Sequence, residues 1–205
     1  MDNNVGLYKT VDDASGGILH KDRQSKFYAY VFPIVNEKDI KPIIDNLRKM
    51  HPTANHICYA WRIGIENQRY RANDDGEPNN SAGMPIYGQI KSFDLTNVLI
   101  AVARVFGGTK LGVGGLIAAY RTAAQLALES STIIEKSVKV KYELCFTYPL
   151  LSKVMRIIKR NSLEIKKQDM SMECTVVISV LLRNTFQIEN KFKAIQGVSI
   201  SRLED

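Results

Sequence analysis

Three consecutive stretches decide the fold of this chain: VLIAVARVF at residues 98–106, GGTKLGVGG at 107–115 and LIAAYRTAAQLALES at 116–130. The first is an almost unbroken apolar run, which is typical of a strand that is covered on both faces. The third is rich in alanine and has apolar residues at helical spacing. Between them, the middle stretch holds five of the 13 glycines of the chain. We therefore predict a buried strand, a glycine loop and a helix in direct succession.

The glycine loop has the composition of an anion-binding site. Glycine permits positive φ, and a helix N-terminus presents unpaired backbone N–H groups and the positive end of a dipole. Lys110 adds a charge within the loop, and Arg104 lies near the end of the strand. The alternative is that the glycines only let the loop and the helix pack closely on the sheet. We predict that phosphate or a nucleic-acid backbone binds at Arg104, Gly107, Gly108, Lys110, Gly112, Gly114 and Gly115.

Neither of the two familiar phosphate-binding motifs fits this loop. A Walker loop needs a lysine after its second glycine, but Val113 follows Gly112. A dinucleotide fingerprint that starts at Gly112 would need a third glycine at position 117, which is Ile117. The sequence therefore supports neither an ATPase nor a dehydrogenase, and we predict no cofactor.

An acidic turn, Asp74-Asp75-Gly-Glu77-Pro, is the second candidate site. Its carboxylates could pair with Lys110 or Arg104, bind Mg²⁺, or supply an acid and a base. A metal would need further oxygen ligands, and the spacing is not that of an EF-hand loop, so we predict no metal site. We favour Asp74, Asp75 and Glu77 as residues that orient the glycine loop. The alternative is an Asp-Gly turn whose acidity is incidental.

Catalytic residues are only weakly marked. No serine or cysteine stands in a recognisable nucleophile motif. The three cysteines are far apart and lie in apolar runs, which predicts buried free thiols. His56 remains a weak catalytic candidate because its strand runs directly into the acidic turn, where Asp75 and Glu77 could act as acid or base.

The pattern of apolar and turn residues predicts two domains, residues 1–133 and 134–205. In the first, Asp39 is the predicted cap of the first helix, Trp61 is a predicted core residue, and residues 68–80 are predicted to be rich in turns. The second has the order β-α-β-β-α-β of a ferredoxin-like domain. The predicted strands are 26–35, 57–65, 98–106, 138–147, 164–170, 175–182 and 198–202, and the predicted helices are 39–50, 84–91, 116–130, 149–160 and 186–195.

Charge is distributed unevenly along the chain, whose net charge is +7. Residues 138–205 carry 12 Lys/Arg against 7 Asp/Glu, whereas residues 1–137 carry 16 against 14. A basic excess favours a polyanionic partner such as RNA or the ribosome, and the alternative is an ordinary solvated surface. The chain shows no signal-peptide pattern and no apolar run of membrane length, so we predict a cytoplasmic protein with no membrane partner.

Several of these motifs, taken together, resemble the Impact/YigZ family. The resemblance covers residues 15–130 and includes the Ser25-Lys-Phe27 segment and the His56-x-Cys58 strand. The stretches that carry it are RANDDGEP at 71–78, SAGMP at 81–85, RVFGGTKLGVGGL at 104–116 and Ala-Tyr at 119–120.

The resemblance implies a two-domain α+β protein. Its first domain would be an α/β sandwich similar to a domain of a small-subunit ribosomal protein, and its second a ferredoxin-like domain similar to one in elongation factor G. Eukaryotic relatives act in translational control, where they compete for the coactivator of an initiation-factor kinase. The bacterial branch has no settled biochemical activity.

Two positions depart from the family pattern. Asn80 replaces a usual glycine, and since asparagine tolerates positive φ we expect the turn to survive. Ala118 replaces the usual arginine before Ala-Tyr. Any anion contact of that arginine is lost here unless Arg121, three residues on and near the same helix face, replaces it.

Three functional hypotheses follow from these patterns. The first is a non-enzymatic, translation-associated regulator that binds RNA, the ribosome or a translation factor through the glycine loop. The second is an enzyme acting on a small phosphorylated or nucleotide-like metabolite, which predicts a deep pocket enclosing both the loop and the carboxylates. The third is a protein-interaction adaptor, which predicts an exposed apolar or aromatic patch.

Overall fold

The computed structural model describes residues 6–65, 67–171 and 173–203. Within it the chain divides into two compact units. One unit is Tyr8–Lys136, and the other runs from Ser137 onward and includes Gly6 and Leu7. The sequence places this division after residue 133.

The first unit is built on a five-stranded antiparallel sheet of order β2-β3-β6-β4-β5. Strands β1 and β7 pair separately as a two-stranded sheet. The strands are β1 (Leu7–Val11), β2 (Ser15–Asp22), β3 (Ser25–Pro33), β4 (His56–Ile63), β5 (Arg69–Asn73), β6 (Val98–Val105) and β7 (Ile133–Ser137), and the helices are α1 (Ile40–Met50), α2 (Gly83–Ser92) and α3 (Gly112–Glu129).

The central strand β6 is buried on both faces, as predicted, and residues 98–103 have no exposed surface. On one face α2 and α3 cover the sheet, and Phe27 and Val102 belong to that core. On the other face α1 packs over a second core that contains Leu99 and Trp61. The predicted core position of Trp61 is therefore confirmed. This two-sided burial explains why β6 reads as a continuous apolar run rather than as an alternating one.

The second unit has the predicted ferredoxin-like topology. Its sheet has the order β11-β8-β10-β9 and every neighbouring pair is antiparallel. One core joins the sheet to the helices through Leu144, Ile178, Val154 and Phe192. The elements are β8 (Lys139–Thr147), α4 (Leu151–Arg160), β9 (Glu164–Met170), β10 (Glu173–Leu181), α5 (Thr185–Lys193) and β11 (Val198–Leu203).

Three predicted details are wrong, and a fourth is correct only in part. Helix α3 begins at Gly112 rather than at Leu116, so that three of the five glycines lie in its first turn. Residues 69–73 form the edge strand β5 instead of a turn-rich segment, and β1, β2 and β7 were not predicted as strands. Asp39 occupies the N-cap position of α1, as predicted, but its side chain makes no capping hydrogen bond to the helix; its carboxylate accepts the N–H of Asn36 at 3.0 Å across the short 3-10 turn that precedes the helix.

The two-domain α+β class is confirmed by these two units. Among the described residues, no helix is long and apolar enough to cross a membrane.

Candidate functional site

The acidic turn follows β5, and its first carboxylate caps a helix. One Asp74 oxygen accepts the N–H groups of Ala82 at 2.9 Å and Gly83 at 2.8 Å, where α2 begins. The other accepts the N–H of Asn80 at 2.9 Å. Asn80 has a φ of 60°, so the turn survives the replacement of the family's glycine, as predicted. A carboxylate at this end also complements the α2 dipole.

Asp75 ties the turn to the sheet and to α1. One of its carboxylate oxygens accepts the Ile57 N–H at 2.6 Å, and the other pairs with Arg48 at 2.8 Å. Its backbone carbonyl lies 2.7 Å from Nδ1 of His56, and since a carbonyl only accepts, that ring nitrogen donates. These contacts of Asp75 and of His56 Nδ1 therefore hold the turn in place.

Glu77 forms a buried ion pair with Arg104, at 2.6 Å between Oε1 and Nη1. The same oxygen accepts the Tyr120 hydroxyl at 2.8 Å, which brings α3 into the network. Glu77 is 8% exposed, Arg104 6% and Tyr120 0%. The guanidinium carbon of Arg104 lies 5.6 Å from the ring centres of both Phe27 and Phe106, in cation–π geometry. The acidic turn is thus locked to the end of β6 and to α3.

A buried thiol completes the network. Sγ of Cys58 lies 3.0 Å from the Asp74 carbonyl and 3.3 Å from the Tyr120 hydroxyl. Burial raises the pKa of the Cys58 thiol far above its usual range, and burial likewise raises the pKa of Tyr120. Both groups are therefore neutral at physiological pH. A neutral buried thiol is a poor nucleophile, so Cys58 has a structural role.

The glycine turn, residues 107–111, leaves the sheet beside the β2–β3 hairpin. The Gly107 N–H donates to the Ser25 hydroxyl at 3.2 Å, and a Cβ at Gly107 would lie 2.1 Å from the Gln24 carbonyl carbon. Gly108 has a φ of 88° and is exposed. Lys110 is exposed and has no hydrogen-bond or ion-pair partner among the described residues. Leu111 is buried and anchors the end of the turn.

The first turn of α3 is open to solvent. No side chain caps it, and no acidic residue lies in it. Gly112 has a φ of 71°, which explains the glycine there, and a Cβ at Gly115 would press on Leu111 at 3.1 Å. Neither of these reasons explains the glycine at position 114, because its φ is not positive and a Cβ there would meet nothing within 4 Å. The space above the Gly114 backbone is therefore unoccupied by the protein.

The structure separates the predicted anion-binding residues into two groups. Gly108, Lys110, Gly112 and Gly114 are exposed at the glycine turn and the start of α3. Arg104, in contrast, is buried in its ion pair with Glu77, so the prediction that it faces an anion at the surface is wrong. Arg121 is exposed further along α3, as is Ala118; whether Arg121 substitutes for the missing arginine stays a prediction.

The carboxylates orient the glycine turn only indirectly. None of the three contacts residues 107–115 by a hydrogen bond within the described chain; Glu77 acts through Arg104, at the end of β6. The direct supports are Ser25 for Gly107 and Asn55, whose side-chain oxygen accepts the Phe106 N–H at 2.9 Å. Sequence reasoning did not identify Ser25, Asn55, Cys58 or Tyr120 as site residues. Ser25, Cys58 and Tyr120 lie in the family motifs quoted above, and those motifs are the sequence signal that could have identified them.

Two depressions are best defined on the described surface, and neither encloses the glycine turn together with the acidic turn. One, of about 350 Å³, lies beside α1 and includes Asp75, Arg48 and Arg71 in its lining. The other, of about 300 Å³, lies in the second unit beside Cys145 and Ser199. Among the described residues, no group of three or more His, Cys, Asp or Glu side chains converges as metal ligands do.

Comparison with known proteins connects the first unit to one family. The family described as the Impact N-terminal domain matches residues 23–128. The IMPACT family member YvyE of Bacillus subtilis is 31% identical over 144 residues, which is 70% of this chain and 66% of YvyE. An IMPACT family member of Thermus thermophilus is 34% identical over 69% of this chain and 76% of its own length. Human Protein IMPACT is 34% identical over 47% of this chain but only 31% of its own length.

A solved structure shares the fold of this chain. The crystal structure of a hypothetical protein superposes with a TM-score of 0.78, covering 98% of this chain and 99% of the other at 22% identity. The two-domain translational regulator Yih1 superposes with a TM-score of only 0.37, which is too low to support a conclusion.

The buried ion pair should carry much of the stability of the first unit. We expect Glu77→Gln to lower the free energy of unfolding by about 3–5 kcal/mol, because it leaves the Arg104 charge buried without a partner. Trp61 is the only tryptophan of the chain and lies in the core of this unit, so its fluorescence in a urea titration reports the unit. The matched control is Asp45→Asn, which breaks the exposed pair with Lys41 and should cost at most about 0.5 kcal/mol. Equal effects of the two changes would contradict this role.

Two glycines of the same segment should respond in opposite directions to alanine. Gly107→Ala places a methyl group against the Gln24 backbone and should destabilise the unit by about 1–3 kcal/mol or more. Gly114→Ala meets nothing and should stabilise it by about 0.5–1 kcal/mol, since alanine is the better helix former. The urea midpoint of each variant checks both values; destabilisation by Gly114→Ala would show that this glycine has a folding role.

Proposed function

This chain belongs to the Impact family, and from that premise we propose that it is a non-catalytic, translation-associated regulator that binds RNA, the ribosome or a translation factor. The translational part of the proposal rests on the role that the family resemblance implies for eukaryotic relatives. The binding part rests on the exposed surface formed by the glycine turn and the first turn of α3. We also propose that the protein acts in the cytoplasm and that its two units are distinct domains.

The observation that carries the binding proposal is Gly114. A glycine in the exposed first turn of a helix costs about 1 kcal/mol relative to alanine. Neither φ nor a neighbouring atom requires it there. Close approach of another molecule to the backbone would account for the glycine, and the adjacent α3 amides are the groups that a phosphate would contact. Lys110 supplies a cation beside them that no described residue neutralises.

The buried network supports binding by keeping this surface fixed. Glu77 and Arg104 hold the end of β6, and Tyr120 holds α3, on the two sides of the turn. A binding surface that is ordered before the ligand arrives loses less conformational entropy on binding. The ion pair therefore serves the site through the scaffold rather than by touching the ligand.

The enzyme alternative receives less support from the same geometry. Both oxygens of Asp75 accept hydrogen bonds, and Glu77 is nearly buried between two donors. A general base must be able to turn toward the substrate, and a carboxylate held by both Ile57 and Arg48 is restricted in doing so. The depression that Asp75 lines does not include the glycine turn, so it is not the pocket that a small phosphorylated metabolite would need.

The adaptor alternative is favoured by two apolar side chains at the same surface. Phe106 is 43% exposed and Val113 is 53% exposed, one on each side of the glycine turn. Apolar groups beside an anion-binding turn are also compatible with contact to a ribosomal protein. A polar change at Val113 that leaves RNA affinity intact but abolishes co-sedimentation with ribosomes would favour a protein partner.

We expect Lys110→Ala to weaken RNA binding and to reduce the slope of log K against log salt by about 0.7, because one fewer phosphate is neutralised. Fluorescence anisotropy with a labelled single-stranded RNA, measured over a series of salt concentrations, gives both quantities. Gly114→Ala should weaken the same binding while stabilising the fold. The control is Lys91→Ala, which removes an exposed lysine in the last turn of α2. Binding that does not depend on salt, or no binding at low salt, would contradict the RNA proposal.

A further inference from the structure

The β2–β3 hairpin next to the glycine turn holds two like charges directly opposite each other. Lys21 faces Lys26 across the antiparallel pair, and both are exposed. Like charges in directly opposed positions repel each other and destabilise the pair. Neither lysine has an ion-pair partner within the described part of the chain, and Asp22 is the only carboxylate between them in sequence. The hairpin therefore maintains a concentration of positive charge at a cost to its own stability.

The turn of the same hairpin breaks a second local rule. Arg23 and Gln24 form the two-residue connection between the paired residues Asp22 and Ser25, with φ values of 41° and 67°. Tight hairpin turns with two positive φ angles strongly prefer Asn-Gly, Asp-Gly or Gly-Gly. Here one of the two unfavourable positions holds a third exposed cation, Arg23. Departures from local preference tend to occur at functional sites, where another requirement overrides stability.

An aromatic row continues from Lys26 along the same face of β3. Strand alternation places Tyr28, Tyr30 and Phe32 beside one another on the α1 side of the sheet, where each is half-buried. The rings of Tyr30 and Phe32 are nearly parallel, with 14° between their planes and 6.3 Å between their centres. The next strand outward, β2, has Gly16 opposite Tyr30, and a Cβ at Gly16 would lie 2.3 Å from the Tyr30 ring. The ring therefore lies directly on the backbone of the edge strand.

His51, at the end of α1, holds two of these rings in position. Its Nε2 is 2.6 Å from the Tyr30 hydroxyl, and its ring centre is 4.8 Å from that of Tyr28. Burial lowers the pKa of His51, which favours the neutral ring. The aromatic row is thus fixed before any ligand is present.

We propose that this face binds single-stranded RNA, with phosphates at Lys21, Arg23 and Lys26 and with bases stacked on Tyr28, Tyr30 and Phe32. The proposal rests on the RNA-binding function proposed above and assigns it a second surface, adjoining the glycine turn at Gly107. A positive groove combined with aromatic stacking is the general chemistry of single-strand recognition. Alternate residues of a strand are about 6.7 Å apart, roughly twice the rise of stacked bases in a duplex, so the face suits an extended strand with separated bases.

The test compares two sets of variants of the full chain with a labelled 12-nucleotide oligo(U), using anisotropy at several salt concentrations. Lys21→Gln with Lys26→Gln should lower the salt slope by about 1.4, since two phosphate contacts are lost. The same change should raise the urea midpoint, because it removes the like-charge repulsion. Lys91→Gln is the matched control for loss of an exposed lysine. If the two lysines had only a structural role, the double change would not raise the urea midpoint and lower the affinity for RNA at the same time.

The aromatic row is tested separately from the charges. Tyr28→Leu with Phe32→Leu keeps the apolar packing against α1 but removes two stacking surfaces. It should weaken oligo(U) binding about five-fold or more at every salt concentration and leave the slope unchanged. Binding to a duplex of the same length should not change, because paired bases do not reach the rings. The urea midpoint of this variant shows whether the unit remains folded.

Each outcome decides a different point. If both sets bind as the wild type does while Lys110→Ala is weakened, this face is not an RNA site and the proposed function stands. If only the lysine variants are weakened, or if polyphosphate competes as strongly as RNA, the surface binds polyanions without stacking and the proposal fails. If a polyglutamate peptide displaces RNA at equal charge concentration, the occupant is an acidic protein segment. If the wild type binds no RNA at low salt, the RNA function itself is lost.

Discussion

Removing a carboxylate and a guanidinium from water costs several kcal/mol for each ion, and their attraction offsets that cost only when the geometry is good and further hydrogen bonds are made. Glu77 meets both conditions through its 2.6 Å contact with Arg104 and the Tyr120 hydroxyl, whereas Arg104 is flanked by two rings and its buried Nε has no hydrogen-bond partner among the described residues. The pair joins the acidic turn, the end of the central strand and the long helix at one point. The exposed glycine turn lies between elements that this pair holds, so the proposed binding surface depends for its geometry on a buried contact.

The acidic turn illustrates how the first unit divides its charges. Asp74 accepts hydrogen bonds at the start of α2. Asp75 accepts one from β4 and pairs with Arg48, and Glu77 pairs with Arg104. The carboxylates nearest to the candidate site therefore face inward and are neutralised within the fold. Cations of the glycine turn and of the β2–β3 hairpin face solvent without described partners. A sequence with nearly balanced charge in this unit can in this way present a positive surface.

Sequence patterns predicted the elements whose environment matches their composition. The buried strand β6 and the alternating strands and helices of the second unit have strong apolar signals, and their topology was predicted correctly. Strand β5 was missed because Arg69-Tyr-Arg71 lies at an exposed edge and has no apolar alternation. The start of α3 was misplaced because glycine is a poor helix former, and nothing in composition distinguishes a loop glycine from Gly114 in a first turn. Pairing of the acidic turn with Arg104 was one of the predicted alternatives, but the burial of Arg104 was not predicted, since a charged side chain at the end of a strand is usually exposed.

The pairing of β1 with β7 brings the beginning and the end of the Tyr8–Lys136 unit side by side. A unit whose two ends are neighbours can be inserted into a longer chain, or joined to different neighbours, without stretching its own backbone. The similarity to human Protein IMPACT extends over 101 residues, which is under a third of the length of that protein. The paired strands β1 and β7 are therefore the place where this unit could be joined to other domains without a change in its interior packing.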